Sequence, residues 1–402
     1  MSGPAIGADQ ARRARVPASA PAPTPGLRLV LREWGRIGCI GFGGPPAHIA
    51  LLRELCVTRR GWLDDRDFED AIAATNLLPG PASTQLAIYC AWRLRGIAGA
   101  LVGGVSFIVP GLLLILALAA LFLAASPPEW VLGVGAGSGA AVAAVALHAA
   151  ASLAPASWRR AAGRARWVLY ALAGAISAAT VGAWLVLVLL GCGAAEVAVR
   201  RARPGAGVAG VHAWPPLAAA GAASGGLLAL AWVAFKVGAL SYGGGFVIIP
   251  LMQHDAVETY HWMTEGQFLN AVALGQVTPG PVVQTVAVVG YAAAGIGGGL
   301  LAAAVAFAPS FSFILIGAER FDRLRANQSV RALLDGAGPA AIGAIAGAAI
   351  PLALALSESW QLAVLAAAAV ALFIGRRGVV VTLIAAGGAG ALASALGAPL
   401  PG

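Results

Sequence analysis

Leu78-Pro79-Gly80-Pro81-Ala82-Ser83-Thr84-Gln85 interrupts an apolar run, and Thr278-Pro279-Gly280-Pro281-Val282-Val283-Gln284-Thr285 repeats its core 200 positions later. Two prolines around a glycine cannot continue a helical hydrogen-bond ladder, so each stretch breaks a helix. A helix-start signal stands ahead of each break. Asp64-x-x-Asp67 reads as an N-cap with a first-turn acid, and Thr264-x-x-Gln267 as a capping box. Working outward, the register holds: Gly43-Gly44 aligns with Gly243-Gly244, Trp62 with Trp262, Phe68 with Phe268, Ala71 with Ala271 and Phe107 with Phe307. After a one-residue slip, Gly96-Ile97-Ala98-Gly99 matches Gly295-Ile296-Gly297-Gly298. The chain is an internal duplication. Its units are expected at 27–203 and 227–402, joined by a linker at 204–226 and preceded by a disordered cytoplasmic tail at 1–26, which lacks the apolar core of a signal peptide.

Composition sets the medium in which this duplication folds. Of 402 residues, 59% are hydrophobic and only 11% charged, under half the share that covers a water-facing surface. Apolar blocks at 99–125, 131–153, 167–199, 226–251, 296–316, 332–356 and 360–398 reach the length of about 20 residues that crosses a bilayer. The fold class predicted is all-α, a polytopic membrane protein, with ten to twelve spans expected. The net charge of +9 comes mostly from Arg clustered in short segments, the pattern of cytoplasmic loops against anionic lipid and not of a nucleic-acid surface. Cys39, Cys56, Cys90 and Cys192 form no C-x-x-C pair, so neither a disulfide framework nor a metal site is expected.

Matching loops carry opposite charge bias. Segment 53–66 holds Arg53, Arg59, Arg60 and Arg66, while its counterpart 253–266 holds no Lys or Arg. Segment 126–130 holds no basic residue, while 318–331 holds Arg320, Arg323, Arg325 and Arg331. Since Lys and Arg favour cytoplasmic loops, the halves are expected to be inverted, the arrangement of secondary transporters with a midplane substrate site. Basic residues flank the first break on both sides, Arg53–Arg66 before it and Arg93 and Arg95 after it. That placement predicts a re-entrant helical hairpin with Pro-Gly-Pro at its tip.

Broken backbone at membrane depth is tolerated where it is buried in protein or lines a wet cavity, and half-helix N-termini present free N–H groups that suit an anion. Four breaks are expected to converge on one: Gly43-Gly44-Pro45, Gly243-Gly244-Gly245, Pro79-Gly80-Pro81 and Pro279-Gly280-Pro281. Hydroxyls of Ser83, Thr84 and Thr285 and amides of Gln85 and Gln284 would replace the anion's water, with Lys236, or Arg36 at the equivalent position, offsetting its charge. Glu69 and Asp70 read as first-turn acids or carriers of a coupling proton. His254 and Asp255 read as members of a solvated loop, Asp335 as a weak candidate, and His48 as a packed histidine or a substrate neighbour. No H-E-x-x-H, G-x-S-x-G or Walker motif occurs, so no hydrolase or ATP-driven centre is visible. No catalytic residue and no cofactor are expected.

The doubled pattern resembles the chromate ion transporter family. It runs GFGGPPAHI (41–49), Trp62, LPGP (78–81) with Gln85 and FIVP (107–110), then SYGGG (241–245), Trp262, TPGP (278–281) with Gln284 and FAP (307–309). Two such halves resemble its long-chain, two-domain type. The resemblance implies a multi-pass protein of the inner membrane that exports chromate on the membrane potential or proton gradient and confers chromate resistance. Sulfate is the related oxyanion it brings in. Two departures mark the copies as unequal: Phe246-Val247 stands where the first half has Pro46-Ala47, and Ser83-Thr84 gives way to Val282-Val283. The residues alone reach a small anion, and chromate comes from the resemblance. A sulfate importer or exchanger and a passive anion channel are the alternatives, and the partners expected are the oxyanion, the bilayer and, for a homodimer, a second copy.

Overall fold

The computed structural model describes residues 24–75, 78, 80–180, 185–202, 226–241, 247–318 and 327–401. Pro79, Gly243, Gly244 and Gly245 lie outside them, as do Arg320, Arg323, Arg325, residues 1–23 of the expected tail and nearly all of the linker. Every regular element among the described residues is helical.

The first half runs α1 (Leu27–Ile40), α2 (Pro45–Arg53), α3 (Asp65–Thr75), α4 (Ala82–Phe122), α5 (Glu129–Ala140), α6 (Val142–Arg160), α7 (Arg164–Thr180) and α8 (Leu185–Arg201). The second runs α9 (Leu227–Leu240), α10 (Ile248–Gln253), α11 (Glu265–Val277), α12 (Thr285–Gly317), α13 (Gln328–Leu354), α14 (Ser359–Ala369) and α15 (Val379–Ala395). Local chemistry places the starts. Asp64 Oδ1 accepts from the Asp67 N–H at 2.6 Å, and Thr264 and Gln267 close their reciprocal box at 3.2 and 3.0 Å. Both α2 and α10 run on into a wider π-turn, Glu54–Arg59 and His254–Thr259, each followed by a Trp whose N–H reaches back six residues.

Drawn straight, α4 would be about 60 Å long at 1.5 Å per residue, twice the ~30 Å hydrocarbon core. It does not run straight. At Arg95 (φ −143°, ψ 22°) and Gly96 (φ 59°, ψ −147°) the backbone leaves the helix. The chain then folds back so that Gly99 lies against Ala91 and Gly104 against Ile88. The limb Ala82–Leu94 spans only ~20 Å, too short to cross, whereas the limb from Ile97 to Phe122 is long enough. Ala294 (φ −153°, ψ 33°) and Gly295 (φ 62°, ψ −155°) make the same reversal in α12, with Gly290 against Gly298. Each half therefore carries two short helices meeting at Pro-Gly-Pro, followed by a long one. By length and composition the stretches Ala82–Phe122 and Val282–Gly317, through their long limbs, and Glu129–Arg160 and Gln328–Leu354 are candidate membrane spans, with shorter apolar helices at Leu227–Leu240, Ser359–Ile374 and Val379–Ala395.

The halves interlock. Gly104 of α4 touches Phe311 of α12, and Leu116 touches Gly299, so these equivalent helices run antiparallel. That is the relation an inverted repeat requires. Elsewhere α13 of the second half packs on α7 and α8 of the first, and α15 packs on α5 through Gly133, Gly137 and Gly390. Small residues at these crossings let backbones approach closely, as helices in lipid need. Leu113, Leu169, Ile176, Leu228, Ile316, Leu354, Ile374 and Leu392 face outward. In water such exposure would be unfavourable by about 1.5–3 kcal/mol per side chain, and in hydrocarbon it is not. The chain is an all-α, multi-pass membrane protein.

Candidate functional site

The breaks meet at the interface of the halves. The Gly41 carbonyl, which closes α1, accepts two bonds: one from His48 Nε2 at 2.8 Å and one from the N–H of Gly280 at 3.0 Å. A carbonyl only accepts, so His48 carries its proton on Nε2 and its Nδ1 accepts from the Ser83 hydroxyl at 3.2 Å. His48 is fully buried, with Phe107 packed edge-on at 5.0 Å. Gly43 and Gly44 have φ of 97° and 73°, conformations that glycine adopts without strain. They bring Pro45 to the first turn of α2, and Gly44 faces Val282 just past the opposite Pro-Gly-Pro. Three of the four breaks thus adjoin, and the fourth, at Gly243-Gly244-Gly245, lies outside the described residues.

Each Pro-Gly-Pro of one half rests against the other half. A methyl group at Gly80 (φ 114°) would lie 3.3 Å from the Gly238 carbonyl at the end of α9 and 3.5 Å from Ser310 Oγ on α12. Pro279 and Gln284 fill the space beside Gly111 of α4, where a side chain would strike the Pro279 carbonyl. Gln284 Nε2 donates to the Ile108 carbonyl at 2.7 Å, leaving Gln284 Oε1 without a partner. Pro81 turns the chain into α4 and Pro281 into a short 3₁₀ turn, Val282–Gln284, that absorbs the one-residue slip between the copies. Thr84, Gln85, Gln284 and Thr285 are all 1% exposed or less, so the centre is closed to solvent.

Several expected roles change here. Thr285 gives its hydroxyl hydrogen to the Val282 carbonyl at 2.8 Å, and Ser83 is engaged by His48, which leaves Thr84 Oγ1 without a partner. The N–H of Gly280 is taken by Gly41 and is not free for an anion. Lys236 pairs with Asp255 at 2.5 Å, so its charge is already met within the protein. Arg36, its equivalent, is exposed on α1. Asp255 sits in the π-turn and not in a solvated loop, and its side chain is 13% exposed. Glu69 pairs with Arg53, Asp335 with Arg200 at 2.7 Å, and His254 meets Glu258 at 2.8 Å.

The sequence signature of the family described as Chromate transporter matches residues 29–197 and again 228–391. The chain belongs to the chromate transporter family. A chromate transport protein of Cupriavidus metallidurans is 36% identical over 92% of this chain and 93% of its own length. A probable chromate transport protein of Synechococcus elongatus is 28% identical over 85% and 91%, and a chromate transport protein of Pseudomonas aeruginosa 30% over 80% of each. No solved structure matches.

In this chromate transporter family member the two matched segments coincide with the two structural halves. Sequence reading missed Ser310 and Gly111. They are brought into register only by an offset of 199, the slip that the 3₁₀ turn introduces. Ser310 gave no signal of its own, being one of two serines in the otherwise apolar run FAPSFSF (307–313).

Proposed function

We propose that this chain is a secondary transporter that carries chromate out of the cell across the inner membrane, giving chromate resistance. Alternating access would come from movement of one half against the other about the closed centre. The observation that carries this reading is the meeting of short, broken helices from antiparallel halves at a buried, proton-donor-bearing junction. The N–H groups of Ala82 and Ser83 at the start of α4, ahead of those of Thr84 and Gln85 that donate to the Pro81 carbonyl, and nearby hydroxyls and amides would replace the hydration of a tetrahedral dianion. The substrate-binding set proposed is Gly43, Gly44, Pro45, Gly80, Pro81, Ser83, Thr84 and Gln85, with Pro279, Gly280, Pro281, Gln284 and Thr285 shaping the opposite wall; Pro79, Gly243, Gly244 and Gly245, outside the described residues, are included on the sequence pattern alone. Its charge balance rests on neutral donors, with Lys236 held by Asp255.

The test is chromate flux in reconstituted vesicles under separately imposed pH and voltage gradients. Uphill accumulation that collapses when the driving gradient is dissipated is expected, with sulfate competing weakly. Flux that only equalises concentrations would make the chain a passive anion channel. Full competition by sulfate would make chromate a secondary substrate.

A further inference from the structure

The two breaks are alike in backbone and unlike in chemistry. Aligning the sequences of the halves at the 199 offset beyond the slip pairs Ser83 with Val282, Thr84 with Val283 and Gly111 with Ser310, and ahead of it Gly41 with Ser241. Each hydroxyl in this set belongs to the first-half break or to the second-half segments that adjoin it. There Ser310 Oγ is turned toward Gly80, and Ser241 ends α9 one turn past Gly238, whose carbonyl lies against the same glycine. Thr84, Ser241 and Ser310 are each fully buried, and their Oγ atoms have no hydrogen-bond partner among the described residues. An unpaired buried hydroxyl is unfavourable by about 1–3 kcal/mol, and native proteins rarely keep three together without a use.

The second-half break is closed on itself. Gly280 donates to Gly41, Gln284 donates to Ile108 and Thr285 donates to Val282. The side-chain atom left over at this break is Gln284 Oε1, an acceptor, and no hydroxyl of the break is left over beside it among the described residues. Gln276 Nε2 on α11, ahead of this break, is the remaining unpartnered amide donor among the described residues.

We propose that the oxyanion binds on one side of the pseudo-twofold axis only, beside Gly80 and Pro81. The hydroxyls of Thr84, Ser241 and Ser310 donate to its oxygens beside the N-terminus of α4, and the second-half break serves as an apolar strut. This rests on the transporter reading and narrows it to one site with a hydroxyl set drawn from both halves. Neutral donors suit a cargo that must be released, because each hydrogen bond to an ionised oxygen is strong while no full charge pins the anion. The geometry also explains why the copies diverged at Thr84 and Val283, two residues of nearly one shape that differ by a hydroxyl.

The experiment measures the KM for chromate in vesicles containing the full chain, together with the chromate-dependent rise in melting temperature in detergent. Thr84→Val and Ser310→Ala are each expected to raise KM about tenfold or more, the loss of one hydrogen bond to a charged group, and to diminish the melting shift. Thr84→Ser should stay near wild type, and Gln276→Leu should leave KM within about twofold, below the effect of one such bond. If Thr84→Val and Ser310→Ala keep a wild-type KM and melting shift, or if Gln276→Leu raises KM as much as they do, the one-sided site is overturned. Wild-type vesicles that move neither chromate nor sulfate would overturn the transporter reading and this inference with it.

Discussion

At the scale of single residues, the charges within apolar helices are occupied by one another. Glu33 of α1 is buried and receives Arg59 at 2.7 Å and Arg60 at 2.8 Å from the π-turn. At the matching junction the polarity is reversed: the cation, Lys236, is on α9 and the anion, Asp255, is in the turn. The same clasp thus ties the first helix of each half to its turn with opposite sign, in keeping with a basic turn on one face of the membrane and an acidic one on the other. Lys236→Met would strand Asp255 and lower stability by about 3 kcal/mol, the usual result of removing one partner of a buried pair. The exchange Lys236→Asp with Asp255→Lys should recover most of that loss in a detergent melting assay. Recovery of stability with loss of transport would return Lys236 to the substrate. Residue identity marked Lys236 as unusual, but its partner is 19 positions away on another element and no periodicity announces it.

At the scale of elements, the reversals at Gly96 and Gly295 decide the architecture, since without them α4 and α12 would be single rods longer than any bilayer. Both glycines have open space where a side chain would go, so substitution acts through the backbone alone. Gly96→Ala and Gly295→Ala should each cost about 1–3 kcal/mol, the strain of a β-carbon in a conformation that only glycine populates freely. Melting curves of the two variants should shift alike, because the two turns share their dihedral angles to within about 15° of scatter in regular structure. A shift in one and none in the other would contradict their equivalence. The Pro-Gly-Pro breaks and both helix starts were legible in the chain because caps and prolines act locally. The reversal was legible only as a shared Gly-Ile-x-Gly match, since a glycine states that a turn is permitted and not that one occurs.

At the scale of the whole molecule, antiparallel packing of α4 on α12 requires matching turns to lie on opposite faces of the membrane. Thr58 and Thr259 are exposed on the two π-turns and carry no charge, unlike their ion-paired neighbours Arg59 and Glu258. In a Cys39→Ser background, which removes the exposed native thiol, Thr58→Cys and Thr259→Cys should react with an impermeant maleimide from opposite sides of sealed vesicles. Reaction from the same side would rule out inversion.

Hydropathy, the register of the repeat and the positions of its prolines and glycines establish a duplicated, all-helical membrane chain with paired breaks, because each is a property of neighbouring residues. Which polar groups at those breaks are spent and which remain was settled by tertiary packing. Gly280 finds its acceptor in Gly41, and Gly80 faces Ser310, across the interface between the halves. Hydrogen bonds form between groups that folding brings within about 3 Å, however far apart the chain places them.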